Sequence, residues 1–535
     1  MIEVERLSLQ YADAAEPALV DVSLRVAPGE LVLVTGPTGC GKSSLLNCLN
    51  GIVQHESSAR LEGIVRLDGR DLRAWDLAEV CRTAGTVFQN PDSQICTATP
   101  ETEIAFGLEN LGVDRATMTE RIGEALAVVG LGDCRRQPTA TLSGGQKQRL
   151  AIACALALKP KVLLLDEPIS QVDPRGVGEI LRLVARLRAE AALTVVLVEH
   201  RVEETVALAD RVVLMDRGRI VLDRPRDAAL ADLAPLRRLG LNLPLLADLF
   251  ERLGRPERPL RPGDAPRLSV RRPDPRPPRP RAEPLCEVRR LGFRHGRHAP
   301  ALFDDLNLTL HRGDRVALMG PNGSGKSTLL DLLAGLRSPR SGEIAWRDGP
   351  APSVGLVLQA PDLMLFCESV RDEVAFAPKH ARLPKPDRQR IVDSVLARLG
   401  LADLAGQSPF ALSRGQRLRT AVASILAKRP AVLLLDEPTT GQDREQIERM
   451  MTALEHDFEL VVFCTHDVQT AARHANRIVL LDAGRIVADG EPADVLFDEA
   501  AVAAGAIRPT SLQTLAGQHG VRALDVDSML ELVQP

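Results

Sequence analysis

Two short strings, GPTGCGKSS at 36–44 and GPNGSGKST at 320–328, carry the residue types best suited to chemistry. Each contains G-x-x-x-x-G-K-S, a spacing in which glycines let backbone N–H groups approach phosphate oxygens closely. Gly36, Pro37, Thr38, Gly39, Cys40 and Gly41 would form one cradle, and Gly320, Pro321, Asn322, Gly323, Ser324 and Gly325 the other. Lys42 and Lys326 then supply a mobile positive charge. Ser43 and Ser327 offer a hydroxyl to Mg²⁺ bridging the outer two phosphates, with Ser44 and Thr328 following them.

A second pair of strings, VLLLDEP at 162–168 and again at 432–438, supplies the carboxylates. Asp166 and Asp436 end apolar runs that read as buried strands. Their side chains therefore sit at a strand's carboxyl edge, where ligands of open α/β sheets bind and where Mg²⁺ needs an oxygen. Glu167 and Glu437, one residue on, point differently and suit a general base that polarises an attacking water.

The elements that must hold these groups follow from the pattern of apolar runs. LVLVT at 31–35, VLLLD at 162–166 and VVLVE at 195–199 are continuous and bounded, as expected of buried parallel strands, with helix-like stretches between them. RVALM at 315–319, VLLLD at 432–436 and LVVFC at 460–464 repeat the arrangement, so the chain is a duplication of one α/β unit. From about Gly254 to Pro284 proline and arginine crowd out apolar residues, which predicts a linker with a stretch of polyproline geometry. Each half ends in a leucine- and alanine-rich segment. The expected division is a first domain over 1–240, an extension and linker over 241–284, a second domain over 285–500 and a C-terminal extension over 501–535.

Composition bounds the partners. A hydrophobic share of 45% and a charged share of 26% fit folded, soluble domains and exclude disorder throughout. A formal charge of -4 argues against a protein whose main business is neutralising nucleic-acid phosphates, so no nucleic acid is expected as partner. The nine cysteines form no C-x-x-C pair and Cys40 lies inside a phosphate loop, which points to a reducing compartment and to no structural metal beyond Mg²⁺. The N-terminus MIEVERLSLQY lacks a secretory pattern, and no apolar run approaches the roughly 20 residues needed to span a bilayer.

LSGGQ at 142–146, placed one helix before the first VLLLDEP, resembles the signature of the ATP-binding-cassette (ABC) ATPases. The resemblance covers both halves and implies two tandem P-loop NTPase domains. Each would have a mainly parallel sheet core, an antiparallel β part and a helical subdomain. It implies ATP and Mg²⁺ as cofactors, and intramolecular pairing in which one half's signature closes over nucleotide held by the other. Ser143, Gly144, Gly145 and Gln146 would meet the γ-phosphate, as would Ser413, Arg414, Gly415 and Gln416 of LSRGQ. Gln89 and Gln359 would reach Mg²⁺ and the water, and His200 and His466 the γ-phosphate. Tyr11 stands where the family stacks an aromatic ring on adenine, and His295 is its smaller counterpart. Asp173 and Asp443 match the segment after the Asp-Glu pair that bridges the two sites. Arg414 departs from the family's glycine. If that position requires φ > 0, the penalty is about 1–2 kcal/mol, and the site using this signature is expected to show altered kinetics.

NPDSQI and AFGLENLG in the first half, with APDLMLF and EVAFAP in the second, resemble the ATPases of energy-coupling-factor importers for vitamins and transition-metal ions. This implies a transmembrane coupling protein docked on residues 90–107 and 360–376, a small substrate-binding membrane protein, and a peripheral position on the cytoplasmic face of the membrane. Two alternatives stand beside it. One is a tandem-cassette translation factor on ribosomes, disfavoured by Pro273, Pro275, Pro277, Pro278 and Pro280, which forbid a helical linker. The other is the fused ATPase of a monosaccharide importer.

Overall fold

The apolar runs become strands because both of their faces are covered. In the computed structural model, which describes residues 1–534 except 13, 15, 57, 171, 273–281, 348–351, 440–441 and 455–456, every residue of β3 (Leu31–Thr35), β7 (Val162–Asp166) and β8 (Thr194–Val198) is buried. Alternate side chains divide between two cores, as the two-residue period of a strand requires. Leu31, Leu33, Leu163, Leu165, Val195 and Leu197 join one apolar cluster with the helices. Val32, Val34, Val162, Leu164, Val196 and Val198 join another, with the antiparallel strands and the helix Lys42–Leu49.

The chain divides into two units, Met1–Leu260 and Arg261–Pro535. In the first, β1 (Ile2–Gln10), β2 (Leu19–Val26), β4 (Arg60–Leu67) and β5 (Arg70–Asp71) form an antiparallel sheet in the order β2-β1-β4-β5. With β6 (Ala84–Val87), β9 (Arg211–Asp216) and β10 (Arg219–Pro225), the main sheet runs β10-β9-β3-β8-β7-β6, parallel except for β10. The second unit repeats this. Its strands β11 (Pro284–Phe293), β12 (Phe303–His311) and β14 (Ser341–Trp346) make the antiparallel sheet. β13 (Arg315–Met319), β15 (Val354–Val357), β16 (Val432–Leu435), β17 (Leu460–Cys464), β18 (Arg477–Asp482) and β19 (Arg485–Gly490) form the main sheet in the order β15-β16-β17-β13-β18-β19. Mixed α/β units with parallel cores are what the sequence predicts.

Two strand ends differ from the sequence reading. β8 begins at Thr194 and stops at Val198, so Glu199 lies beyond it, and β16 stops at Leu435, so Asp436 follows its strand where Asp166 ends its own. The carboxylates still emerge at the same edge.

The leucine-rich segments that close each half complete its core. Leu230, Leu233, Leu236, Leu241 and Leu243 join the helical core of the first unit, and Val495, Leu496, Ala501 and Ile507 that of the second. The linker is ordered further than its composition suggests. Its residues up to 272 belong to a proline- and arginine-rich stretch, yet Leu268 is buried and Val270 makes a bridge with Val533 near the C-terminus. Arg271 N–H donates to Leu532 O at 2.9 Å, and Gln534 N–H to Ser269 O at 2.8 Å. A segment without a core of its own is thus held by main-chain bonds to a distant one. The prolines at 273–280 that predict polyproline geometry lie outside the described residues. Among the described residues no helix is long and apolar enough to cross a membrane.

Candidate functional site

Both phosphate loops leave a parallel strand and enter a helix, β3 into Lys42–Leu49 and β13 into Lys326–Leu333. The turn into the helix is why glycine stands at its mouth. Gly41 has φ 102° and a Cβ there would sit 2.5 Å from the Ala18 carbonyl oxygen; Gly325 has φ 107° and its Cβ would sit 2.6 Å from the Phe303 ring. Only glycine fits such backbone at such approach. Lys42 Nζ donates to the carbonyls of Gly36 at 2.7 Å and Pro37 at 2.9 Å, and Lys326 Nζ to Gly320 at 2.8 Å and Pro321 at 3.0 Å. Each lysine thereby lies folded back along its own loop.

The Asp-Glu pairs are set by a backbone kink. Glu167 and Glu437 have φ 45° and 50°, a left-handed conformation that ordinary side chains rarely adopt and that turns each glutamate away from its aspartate. Ser43 Oγ donates to Asp166 Oδ1 at 3.2 Å. Burial and the neighbouring Glu167 push the Asp166 carboxyl up to about 6, against the Ser43 hydroxyl and Lys42. Asp436 is likewise raised by burial, with the Ser327 hydroxyl opposing. Glu167 goes the other way. Burial pushes it up, but His200, Lys42 and Gln89 together outweigh this and hold it below its ordinary value.

His200 Nδ1 stands 3.4 Å from Glu167 Oε1, and His466 Nδ1 stands 3.0 Å from Glu437 Oε2. The glutamines differ. Gln89 Nε2 donates to Glu167 Oε2 at 2.6 Å, whereas Gln359 follows β15 in the equivalent position and Glu437 takes its stabilising contacts from His466 and Lys326.

The signature serines and glutamines have a local job. Ser143 caps the helix Gly144–Ala157: its Oγ accepts the Gln146 N–H at 3.3 Å, while Gln146 Oε1 accepts the Ser143 N–H at 2.8 Å. Ser413 and Gln416 cap Arg414–Leu426 with the same two distances. The helix N-termini so fixed present first-turn N–H groups that suit an anion. Arg414 is the first residue of its helix and is absent from the residues with positive φ, so the conditional strain penalty does not apply. Replacing Arg414 by glycine is therefore expected to shift the melting temperature by no more than about 2 °C, because no strain is there to relieve. A rise of roughly 2–4 °C, which is what about 1 kcal/mol gives in a unit the size of Arg261–Pro535, would show that strain exists after all.

Gly145 and Gly415 face the helices that follow the Asp-Glu pairs. Asp173 and Asp443 cap those helices, accepting from Gly176 N–H and Gln446 N–H, both at 2.9 Å. Tyr11 reaches the first phosphate loop, with its hydroxyl 3.3 Å from Ser44 Oγ. His295 reaches the second, with Nε2 3.4 Å from Thr328 Oγ1 and its ring edge-on to Phe293 at 5.2 Å. Cys40 is a free thiol, as are the other eight cysteines.

The conserved architecture of the ABC transporter domain matches residues 19–170 and 303–440, one segment in each unit and each containing a phosphate loop, a signature and an Asp-Glu pair. The chain belongs to the ABC transporter family. An ABC transporter ATP-binding protein of Methanosarcina acetivorans, so named provisionally, is 39% identical across all of this chain and 91% of its own length. A relative from Bacillus subtilis, provisionally named HMP/thiamine import ATP-binding protein YkoD, is 34% identical over 93% of each chain. Among solved structures, an archaeal ribosome recycling factor determined with the ribosomal stalk protein aP1 aligns over 92% of this chain and 90% of that one, with a TM-score of 0.59. At 21% identity that likeness concerns fold alone.

This ABC protein is therefore an ATPase of an ABC transporter, with two ATP-binding domains in one chain. The residues beside the phosphate loops fit Mg²⁺. Asp436 Oδ1 is buried with no hydrogen-bond partner among the described residues, and the Ser43 hydroxyl lies against Asp166 Oδ1. Hard oxygens of this kind, few in number and beside the phosphates, are what Mg²⁺ takes. A cation there would also reverse the upward push on Asp166.

One residue of this ABC site has no counterpart in the sequence reading. Glu199, read as the last residue of an apolar strand, is fully buried and accepts the backbone N–H groups of Ile169, just after the Asp-Glu pair, and of His200. A charge at the end of an otherwise apolar run was its only sequence signal.

Proposed function

We propose that the two ABC domains drive an importer of the energy-coupling-factor type, for a vitamin or transition-metal ion, from the cytoplasmic face of the membrane. A surface feature outside the ATP sites carries this reading. Segment 84–107 and the signature helix of the first unit enclose a cavity of about 360 Å³, lined by Phe88, Ile95, Phe106, Ala151 and Leu158 among others. In the second unit the corresponding segment exposes Leu363 and Phe366, and Phe366 meets Phe376 edge-on at 4.7 Å. Exposed apolar surface of this kind marks a binding site for apolar partners, here the helices of a membrane-spanning coupling protein. The import name of the Bacillus subtilis relative supports the same direction. A small membrane protein that captures substrate completes the assembly.

At each ATP site, Lys42 or Lys326 would hold the outer phosphates with the loop N–H groups, and Ser43 with Asp166, or Ser327 with Asp436, would hold Mg²⁺, which neutralises phosphate charge. Gln89 and Gln359 complete the metal and water environment. Glu167 and Glu437 accept the proton of the attacking water, a contribution of about 10² to 10⁴ in rate. His200 and His466 contact the γ-phosphate, Tyr11 and His295 face adenine, and the signatures Ser143–Gln146 and Ser413–Gln416 close on nucleotide. ATP-driven closure of the two domains would then move the docked helices. A direct link exists within each unit. Lys147 of the first signature helix pairs with Asp92 of the docking segment at 2.5 Å, and Arg417 pairs with Asp362 at 2.7 Å.

The test is to tag the chain in its own cells, solubilise membranes in mild detergent and identify what co-purifies. A polytopic membrane protein with a small membrane partner is expected; ribosomes alone would overturn the reading. Phe366→Asp together with Leu363→Asp is expected to reduce recovery of the membrane partner about tenfold while leaving ATP turnover of the isolated chain unchanged, since both side chains are exposed.

A further inference from the structure

The two ATPase sites also differ in the residue just before the histidine. His200 follows Glu199, whereas His466 follows Thr465. Glu199 has no exposed surface, and none of the roles above uses it. A buried carboxylate costs several kcal/mol unless donors compensate it, and here three do. Oε1 accepts the Ile169 N–H at 3.2 Å; Oε2 accepts the N–H groups of His200 at 3.1 Å and Arg201 at 3.4 Å. Ile169 is two residues beyond Glu167. The carboxylate therefore stitches the chain leaving the Asp-Glu pair to the turn that carries the histidine.

The second site makes the same stitch with neutral groups. Thr465 Oγ1 accepts the Asp467 N–H at 3.0 Å and lies 3.3 Å from Oγ1 of Thr439, the counterpart of Ile169. A hydroxyl pair is enough for the fold there, so packing alone gives no reason for an acid in the first site. The acid does change what His200 sees. Its Nδ1 stands 3.4 Å from Glu167 Oε1 and 3.9 Å from Glu199 Oε2, so one imidazole faces two carboxylates.

We propose that Glu199 is a positioning residue of the first ATPase site, holding His200 in register with Glu167 and keeping the His200 proton on Nδ1, a device the second site lacks. The proposal rests on the reading of His200 as a γ-phosphate contact. With Nδ1–H committed to the carboxylates, Nε2 is the nitrogen left for phosphate, and an imidazole protonated at both nitrogens donates there as a cation. The charged groups acting on His200 are Glu167 and Glu199, which raise its affinity for a proton, and Lys42, which lowers it; burial opposes the carboxylates, and the net direction is upward. Burial and the neighbouring Glu167 push the Glu199 carboxyl up to about 7, against His200, Arg201 and the Ile169 N–H, so its charge is fully present on the alkaline side of neutrality, where the limb is read.

The experiment uses the full chain carrying Glu437→Gln, so that turnover reports the first site. Adding Glu199→Gln is expected to lower kcat about tenfold with the KM for ATP within about twofold. It should also move the alkaline limb of the pH profile to lower pH, because His200 loses a carboxylate that keeps it protonated. A second variant, Ile169→Thr with Glu199→Thr, installs the arrangement of the other site. It should recover most of the kcat by restoring the stitch, while the alkaline limb stays shifted. An unchanged kcat and pH profile in Glu199→Gln overturns the proposal. So does a loss of turnover matched in both variants by a loss of ATP binding and of melting temperature, which is a folding effect. His200→Ala in the same background separates the two levels: turnover retained there overturns the γ-phosphate reading and the proposal with it. Turnover abolished there, with Glu199→Gln silent, overturns the proposal alone.

Discussion

Glu167→Gln is expected to reduce hydrolysis at the first site by about 10² to 10⁴, with ATP still bound, and to cost more than Glu437→Gln costs at the second. The carboxylate is the general base of this account, and glutamine keeps its shape while removing its ability to take a proton. The inequality follows from how each glutamate is held. Glu167 receives Gln89 at 2.6 Å as well as His200, and His200 is itself flanked by a second acid. Glu437 has His466 and Lys326 as its stabilising neighbours. Single-turnover hydrolysis of each variant, with ATP binding measured alongside, reads both effects. Equal losses would contradict the functional asymmetry of the two domains.

Gly41→Ala should be strongly damaging to the first phosphate loop. Its φ of 102° costs an alanine about 1–2 kcal/mol, and the added Cβ would also sit 2.5 Å from the Ala18 carbonyl oxygen and 3.1 Å from Leu19 Cδ2. Backbone cannot yield there without moving Lys42 and Ser43, the two residues that follow. ATP affinity of the first site is expected to fall at least about tenfold, roughly 1.4 kcal/mol, and thermal stability to fall with it. Gly132→Ala is the control, since that glycine has no positive φ and a Cβ would meet nothing within 4 Å. Comparable losses in the two variants would show that the loop tolerates a Cβ and that the loss is unspecific.

Much of this architecture is legible in the sequence because it is written in local terms. The runs at 31–35 and 162–166 coincide with β3 and β7 residue for residue, since a strand covered on both faces needs nothing but apolar side chains. The phosphate loops are legible for a different reason, the glycines that their backbone demands. What the sequence hides depends on contacts between distant residues or on a backbone angle. Val270 and Leu268 sit in a proline- and arginine-rich stretch and look unpartnered until Val533 is placed beside the first and His519 Nε2 accepts the N–H of the second. Arg414 looks strained only if its position is assumed left-handed, and its place at the start of a helix removes that assumption. Glu199 looks like the polar end of a strand. Only its three N–H donors reveal why a carboxylate can be buried there.

The most direct test of the whole account is transport itself. The chain and the membrane proteins that co-purify with it would be placed in lipid vesicles, with ATP supplied on the side exposing the two ABC domains, and substrate movement followed against ATP hydrolysed. Movement is expected to require ATP and to disappear, together with hydrolysis, in the Glu167→Gln, Glu437→Gln double variant. Hydrolysis that proceeds at full rate in that variant, or that responds to ribosomes and not to the membrane partners, would contradict it.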